Sequence, residues 1–211
     1  MPLNSNAIAL LTSEYPMSAI PYVPADLCEP ATIVDAIRAR RGGALLNLDR
    51  MLLHSPPFAH GWNSLLGATR TELALPPRLR ELCICAVGLY NGAEYEVQQH
   101  SPPLLAAGGS LAQLQALRAA GTLRSADAAL SAAAALSAAA AGGMTALFDP
   151  LERAALALCQ AMTEKVAVPR VLITQLRQLL GSDALLVELV GVIATYNMVS
   201  RFLVALDVDL E

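Results

Sequence analysis

Turn residues cut this 211-residue chain into short pieces, and inside almost every piece the apolar residues recur at the three-to-four spacing of an α-helix. Pro30, Pro56-Pro57, Pro76-Pro77, Pro150 and Pro169 stand where segments open. Gly42-Gly43, Asn91-Gly92, Gly108-Gly109 and Gly181 stand where they close. Proline at a helix start gives up an amide that has no partner there anyway, and glycine past a helix end accepts the left-handed geometry that stops it. Ser55, Ser110, Asp149 and Ser182 occupy the intervening cap positions. No stretch alternates with the period of a strand. The pattern predicts an all-α bundle of about eight to ten helices.

Those helices are expected over 30–41, 45–54, 58–73, 78–100 with an interruption near Asn91-Gly92, 110–120, 125–141, 150–165, 169–180 and 183–206. Residues 1–28 carry Pro2, Pro16, Pro21 and Pro24 and read as an extended arm. Residues 29–211 read as one helical domain. The Ala128–Phe148 stretch is uncharged, but its alanine and serine content and its Gly142-Gly143 break read as an alanine-rich helix and a stop, not a membrane span.

Composition narrows the partners. With 55% hydrophobic and only 15% charged residues, part of the apolar surface is expected to be covered by self-association into a homo-oligomer. A net charge of −4 offers no footprint for nucleic acid. Arg38, Arg40 and Arg41 cluster at a predicted helix end, where they complement the helix dipole. The start lacks a basic secretory region, its first charge being Glu14, and the four cysteines (Cys28, Cys83, Cys85, Cys159) form no CxxC pair. Reduced thiols in the cytoplasm are the expectation.

The three histidines show no HxH or HExxH spacing, so no zinc site is expected. Two of them open the tetrapeptide His-Ser-Pro-Pro, at His54 and at His100, with unrelated flanks. His54 reads as structural, next to a helix start. His100 follows Glu96 by four residues, so the two share a helix face and a carboxylate is placed to orient an imidazole. Glu94 points elsewhere. Pro102 and Pro103 predict a kink or break just after His100, which would leave the ring at a helix C-terminus. Glu81 lies among apolar residues of the preceding helix, and Cys85 lies one turn further along the same face. His60 and Trp62 line a pocket wall or pack the bundle. Tyr196, Asn197 and Arg201 are polar residues in an apolar terminal helix, where Arg201 is a candidate clamp for a substrate carboxylate.

The stretch RELCICAVGLYNGAEYEVQQHSPPLLAAGGS, Arg80 to Ser110, resembles the core of the AhpD-like superfamily of alkylhydroperoxidases and carboxymuconolactone decarboxylases, the likeness running from about Leu75 to Gln115. Asn197 to Phe202 also resembles the terminal helix of peroxidase-related members. The resemblance implies an AhpD-like helical bundle and a glutamate–histidine proton relay, with Glu81 and His100 in those positions. It places Ala93 and Glu96 where the peroxidase branch has its two cysteines, so the redox pair is missing. The decarboxylase branch, in which the histidine is the proposed acid/base, needs no thiol, metal or organic cofactor.

Three readings follow. A cofactor-free enzyme would use His100, Glu96 and Glu81 for proton transfer on a small organic acid held by Arg201. A peroxidase-related protein would use Cys85. A non-catalytic helical scaffold or ligand-binding module would use neither.

Overall fold

The computed structural model describes residues 18–126 and 146–211. Nine α-helices and no strand occur among them: α1 (Ala31–Arg41), α2 (Asn47–Leu52), α3 (Pro56–Thr71), α4 (Pro77–Asn91), α5 (Glu94–Ala106), α6 (Leu111–Ala126), α7 (Pro150–Glu164), α8 (Arg170–Leu180) and α9 (Asp183–Ala205). The alanine-rich helix expected over 125–141 lies, from residue 127 on, outside the described residues, as does most of the N-terminal arm.

The starts and stops follow their local chemistry. Asp149 accepts from the Glu152 amide at 2.8 Å while Glu152 reaches back to the Asp149 amide at 3.1 Å, a capping box worth about 1 kcal/mol. Ser110 and Gln113 make the same reciprocal pair before α6. Ser182 caps α9 through the Leu185 amide. Ser55 departs from expectation: it occupies the N-cap of α3 but makes no side-chain cap bond, and Pro56 starts the helix alone.

α4 is the hub, packed against α5, α7 and α9. Leu79 to Gly88 on α4 are buried apart from Arg80, so this helix is covered on nearly every side. The α4–α5 hairpin depends on two glycines. Gly92 closes α4 with φ of 70°. At Gly88 a Cβ would come within 3.1 Å of Val97 Cγ2 and 3.4 Å of the Glu96 Cβ, so the missing side chain lets α5 lie close. That approach sets His100 of α5 opposite Glu81 of α4.

α9 is long and apolar enough, by length and composition, to cross a membrane, but it is built into the bundle. Leu189, Val192, Ile193, Tyr196, Val199, Ser200 and Leu203 form its buried stripe.

The expected break after His100 is absent. α5 runs continuously through Pro102 and Pro103 to Ala106, so His100 sits in mid-helix and not at a helix end. The two prolines remove the amides that would reach the Gln98 and Gln99 carbonyls. Fully buried Leu104, one turn past His100, keeps the segment docked, and tertiary packing overrides the local preference. Ser101 bonds back to the Val97 carbonyl at 2.7 Å.

Candidate functional site

Four helices bring polar side chains together inside the bundle: α3 supplies Arg70, α4 Glu81, α5 Glu96 and His100, and α9 Tyr196 and Ser200. Glu81, Glu96 and His100 are each at most 5% exposed. Buried polar groups at this density need an account of every proton.

His100 Nδ1 lies 2.6 Å from Glu81 Oε2, and Nε2 lies 3.1 Å from an Arg70 terminal nitrogen. Burial opposes ionisation of Glu81, yet the His100 hydrogen bond and the Arg80 guanidinium at 3.1 Å outweigh it and hold the carboxyl below its usual pKa. An ionised carboxylate only accepts, so Nδ1 carries the hydrogen. A guanidinium only donates, so Nε2 is bare. His100 is therefore the neutral Nδ1–H tautomer. Its pKa is lowered, first by burial and then by the Arg70 and Arg41 cations, against the pull of Glu81. Tyr196 stands edge-on to the imidazole, with ring centroids 5.0 Å apart, and its hydroxyl accepts from Arg70 Nε at 3.0 Å.

Glu96 does not pair with His100, although the i, i+4 spacing allows it. Its Oε2 lies 2.5 Å from Ser200 Oγ, which is also 2.8 Å from the Tyr196 carbonyl. Three oxygens meet in that chain, and Ser200 has one hydrogen. Ser200 either shares its hydrogen between Glu96 and the Tyr196 carbonyl or receives one from a protonated Glu96 and donates its own to Tyr196. Burial pushes the Glu96 pKa well up, in favour of the second arrangement. The environment thus pushes two carboxyls apart, favouring the ionised form of Glu81 and the protonated form of Glu96.

A void of ≈ 10 Å³, room for about one water, adjoins His100, Glu96, Gln99, Arg41 and Arg70. Two buried side-chain atoms among the described residues lack a hydrogen-bond partner, Glu96 Oε1 and Arg41 Nε, and both residues line this void. Arg41 Nε is 2.9 Å from Asp49 Oδ2 but directed away from a hydrogen bond. Arg40 and Arg41 thus do more than complement the α1 dipole: they converge on the buried Asp49 and set positive charge beside the site.

Several expected site residues lie elsewhere. Arg201 is exposed and folds onto Asn197, donating to its carbonyl at 2.9 Å and its Oδ1 at 2.7 Å. Asn197 is also tied to Asn91 and Thr163, so this pair forms a separate knot and does not clamp anything at His100. His60 is exposed. Trp62 is buried in a cluster with Phe58 and Phe202, at 5.8 and 5.1 Å between centroids. His54 is exposed, its Nε2 2.7 Å from the Pro21 carbonyl. Glu94 pairs outward with Arg118. No spacing rule joins Arg70 to His100, 30 residues further along the chain.

Cys85 is fully buried, and burial, with Glu81 and Glu96 adding to it, pushes its thiol up to about 12. Such a thiol is protonated at neutral pH and shielded from peroxide. Of the four cysteines only Cys28 is exposed. A chromogenic disulfide reagent is expected to titrate one thiol in the folded protein and all four in denaturant. A second fast thiol that disappears in Cys85→Ser would restore Cys85 as a reactive group.

Residues 56–141 match the model of the carboxymuconolactone decarboxylase family. No curated protein matches the chain. Among solved structures, an uncharacterised peroxidase-related protein with an alkylhydroperoxidase AhpD core from Ralstonia eutropha superposes with a TM-score of 0.71 at 17% identity, covering 93% of this chain and 94% of that one. An uncharacterised peroxidase-related protein from a Silicibacter species gives 0.65 at 15% identity, covering 95% of each chain.

Proposed function

We infer that this AhpD-like chain, with its carboxymuconolactone decarboxylase family segment at residues 56–141, is a cofactor-free proton-transfer enzyme acting on a small organic acid. The observation that carries this reading is the buried Glu81–His100 pair at 2.6 Å. Glu81 fixes the tautomer, so that Nε2 is the basic nitrogen. When Nε2 takes a proton, the imidazolium forms against an ionised carboxylate and not in bare protein, which lowers the cost of the charged intermediate. Glu96, engaged with Ser200 through Oε2, leaves its second oxygen without a partner beside the same void. The role first assigned to Arg201 passes to Arg70, the guanidinium in contact with His100.

The peroxidase-related alternative rests on Cys85, whose burial and raised pKa speak against it. The scaffold alternative leaves unexplained a buried carboxylate–imidazole pair beside a second carboxyl whose pKa is pushed the opposite way. Half-exposed Phe58, Leu65 and Val204, at 48, 45 and 46%, support the further proposal that the chain self-associates.

The test is hydrogen exchange. In heavy water, a panel of small carboxylic acids with activated C–H bonds is followed by NMR for deuterium uptake. At least one acid is expected to exchange with the wild type, and His100→Gln is expected to abolish the uptake. Uptake that persists in His100→Gln would remove His100 from the mechanism.

A further inference from the structure

The resting site has one obstacle to the chemistry above: the only basic nitrogen of His100 is capped by Arg70. Arg70 itself is in an unusual position. It is largely withdrawn from solvent, yet its side chain meets only neutral acceptors, the Tyr196 hydroxyl and His100 Nε2. Among the described residues no carboxylate lies within ion-pair distance of it, whereas neighbouring Arg40 and Arg41 share Asp49 and Arg80 has Glu81. Glu81 and Asp49 offset the burial of Arg70 from a distance, but neither touches it, so its guanidinium keeps a contact position that a carboxylate can take. The planar fork of arginine matches a carboxylate in two-point contact, which an imidazole nitrogen and a phenol do not supply.

We propose that Arg70 is a carboxylate-operated cap: a small carboxylate pairs with Arg70, draws it off His100 Nε2 and thereby frees the base. The inference rests on the proton-transfer reading of the same site and adds how that site is switched on. The void beside Arg70 holds about one water, so room for the acid is made as Arg70 leaves Nε2 toward half-buried Arg41 and Gln99. Without an acid, His100 stays neutral and capped. With one, the cation beside the ring is neutralised, so the ring binds a proton more tightly. The groups facing the ring are Glu81 from α4, with Arg80 behind it, Arg70 from α3, Arg41 from α1, Tyr196 from α9 and Glu96 from α5. Of these, Arg70 is the one charged group in direct contact with Nε2.

Imidazole NMR on the isotopically labelled full chain reads this directly. His100 is titrated in chloride and in acetate at equal ionic strength, with the exposed His54 and His60 rings reporting general salt effects. Acetate is expected to raise the proton affinity of His100 about tenfold, one pKa unit, and to shift its Nε2 resonance. In Arg70→Gln the affinity is expected to be raised already and to ignore acetate. The proposal is overturned if acetate acts no differently from chloride on wild-type His100, or moves it equally in Arg70→Gln. Should Arg70→Gln not fold, the wild-type comparison decides alone. No turnover is involved, so failure here is distinguishable from failure of the deuterium-uptake test.

Discussion

Replacing Glu81 with alanine is expected to cost the fold about 3 kcal/mol and to slow proton transfer at His100 by about 10²- to 10⁴-fold. Glu81 is 4% exposed and serves two donors at once, His100 Nδ1–H at 2.6 Å and Arg80 Nε at 3.1 Å. Removing the carboxylate strands an N–H inside the core and leaves a largely buried guanidinium without its counter-ion. Each stranded buried donor costs about 1–3 kcal/mol, and breaking a buried pair from one side lies at the upper end of single-residue effects. Urea unfolding should show the loss as a lower midpoint with an unchanged slope. Glu81→Gln separates packing from charge. The amide oxygen still accepts from Nδ1–H and fills the space, so the stability loss should shrink to about 1 kcal/mol. Deuterium uptake should still fall, because an imidazolium no longer forms against a negative charge. Wild-type uptake in Glu81→Gln would show that orientation alone matters and that the ionised carboxylate has no electrostatic part in the reaction.

The contrast between what the chain declares and what it conceals follows from range. Helix ends are local events. Gly42, Gly92 and Gly181 close their helices at φ of 83°, 70° and 66°, a geometry that glycine adopts freely, so the punctuation is readable without the fold. The Glu81–His100 pair is reachable as well, since both residues sit on one helical hairpin. The Pro102-Pro103 pair misleads for the same reason that the glycines inform. Its preference is local, and the burial of Leu104 and His100 in the bundle outweighs it. Arg70 is 30 residues from His100 and Tyr196 another 96 beyond, so no spacing rule connects them. A trace exists nonetheless. Trp62, Leu66 and Arg70 fall every fourth residue on α3, and Val192, Tyr196 and Ser200 do so on α9. A polar residue on an otherwise buried stripe must meet a partner inside the bundle. On α9 the same rule applies to Asn197, which follows buried Leu189 and Ile193 and finds its partners in Asn91 and Thr163. Burial alone therefore does not tell Tyr196 and Ser200 from it.

Glu96 provides a test of the protonation scheme that no substrate is needed to run. Its folded pKa is raised, so over the pH range above the ordinary glutamic acid value the folded protein keeps a proton that the unfolded chain has lost. The folded state then binds more protons than the unfolded one, and stability falls as pH rises, by up to about 1.4 kcal/mol per pH unit from this residue. The penalty is absent below the unfolded pKa and stops growing once pH passes the folded one. Glu96→Gln is the isostere of the protonated acid. Its amide N–H donates to Ser200, its carbonyl takes the place of Oε1 beside the void, and it has no proton to lose. Unfolding measured from about pH 5 to about pH 8 should therefore show near-equal stability at the acid end and a growing advantage for Glu96→Gln toward the alkaline end. Parallel curves would mean that Glu96 is ionised in the folded protein. The three-oxygen chain through Ser200 would then hold one hydrogen, and the site would contain two anions around His100 in place of one acid and one base.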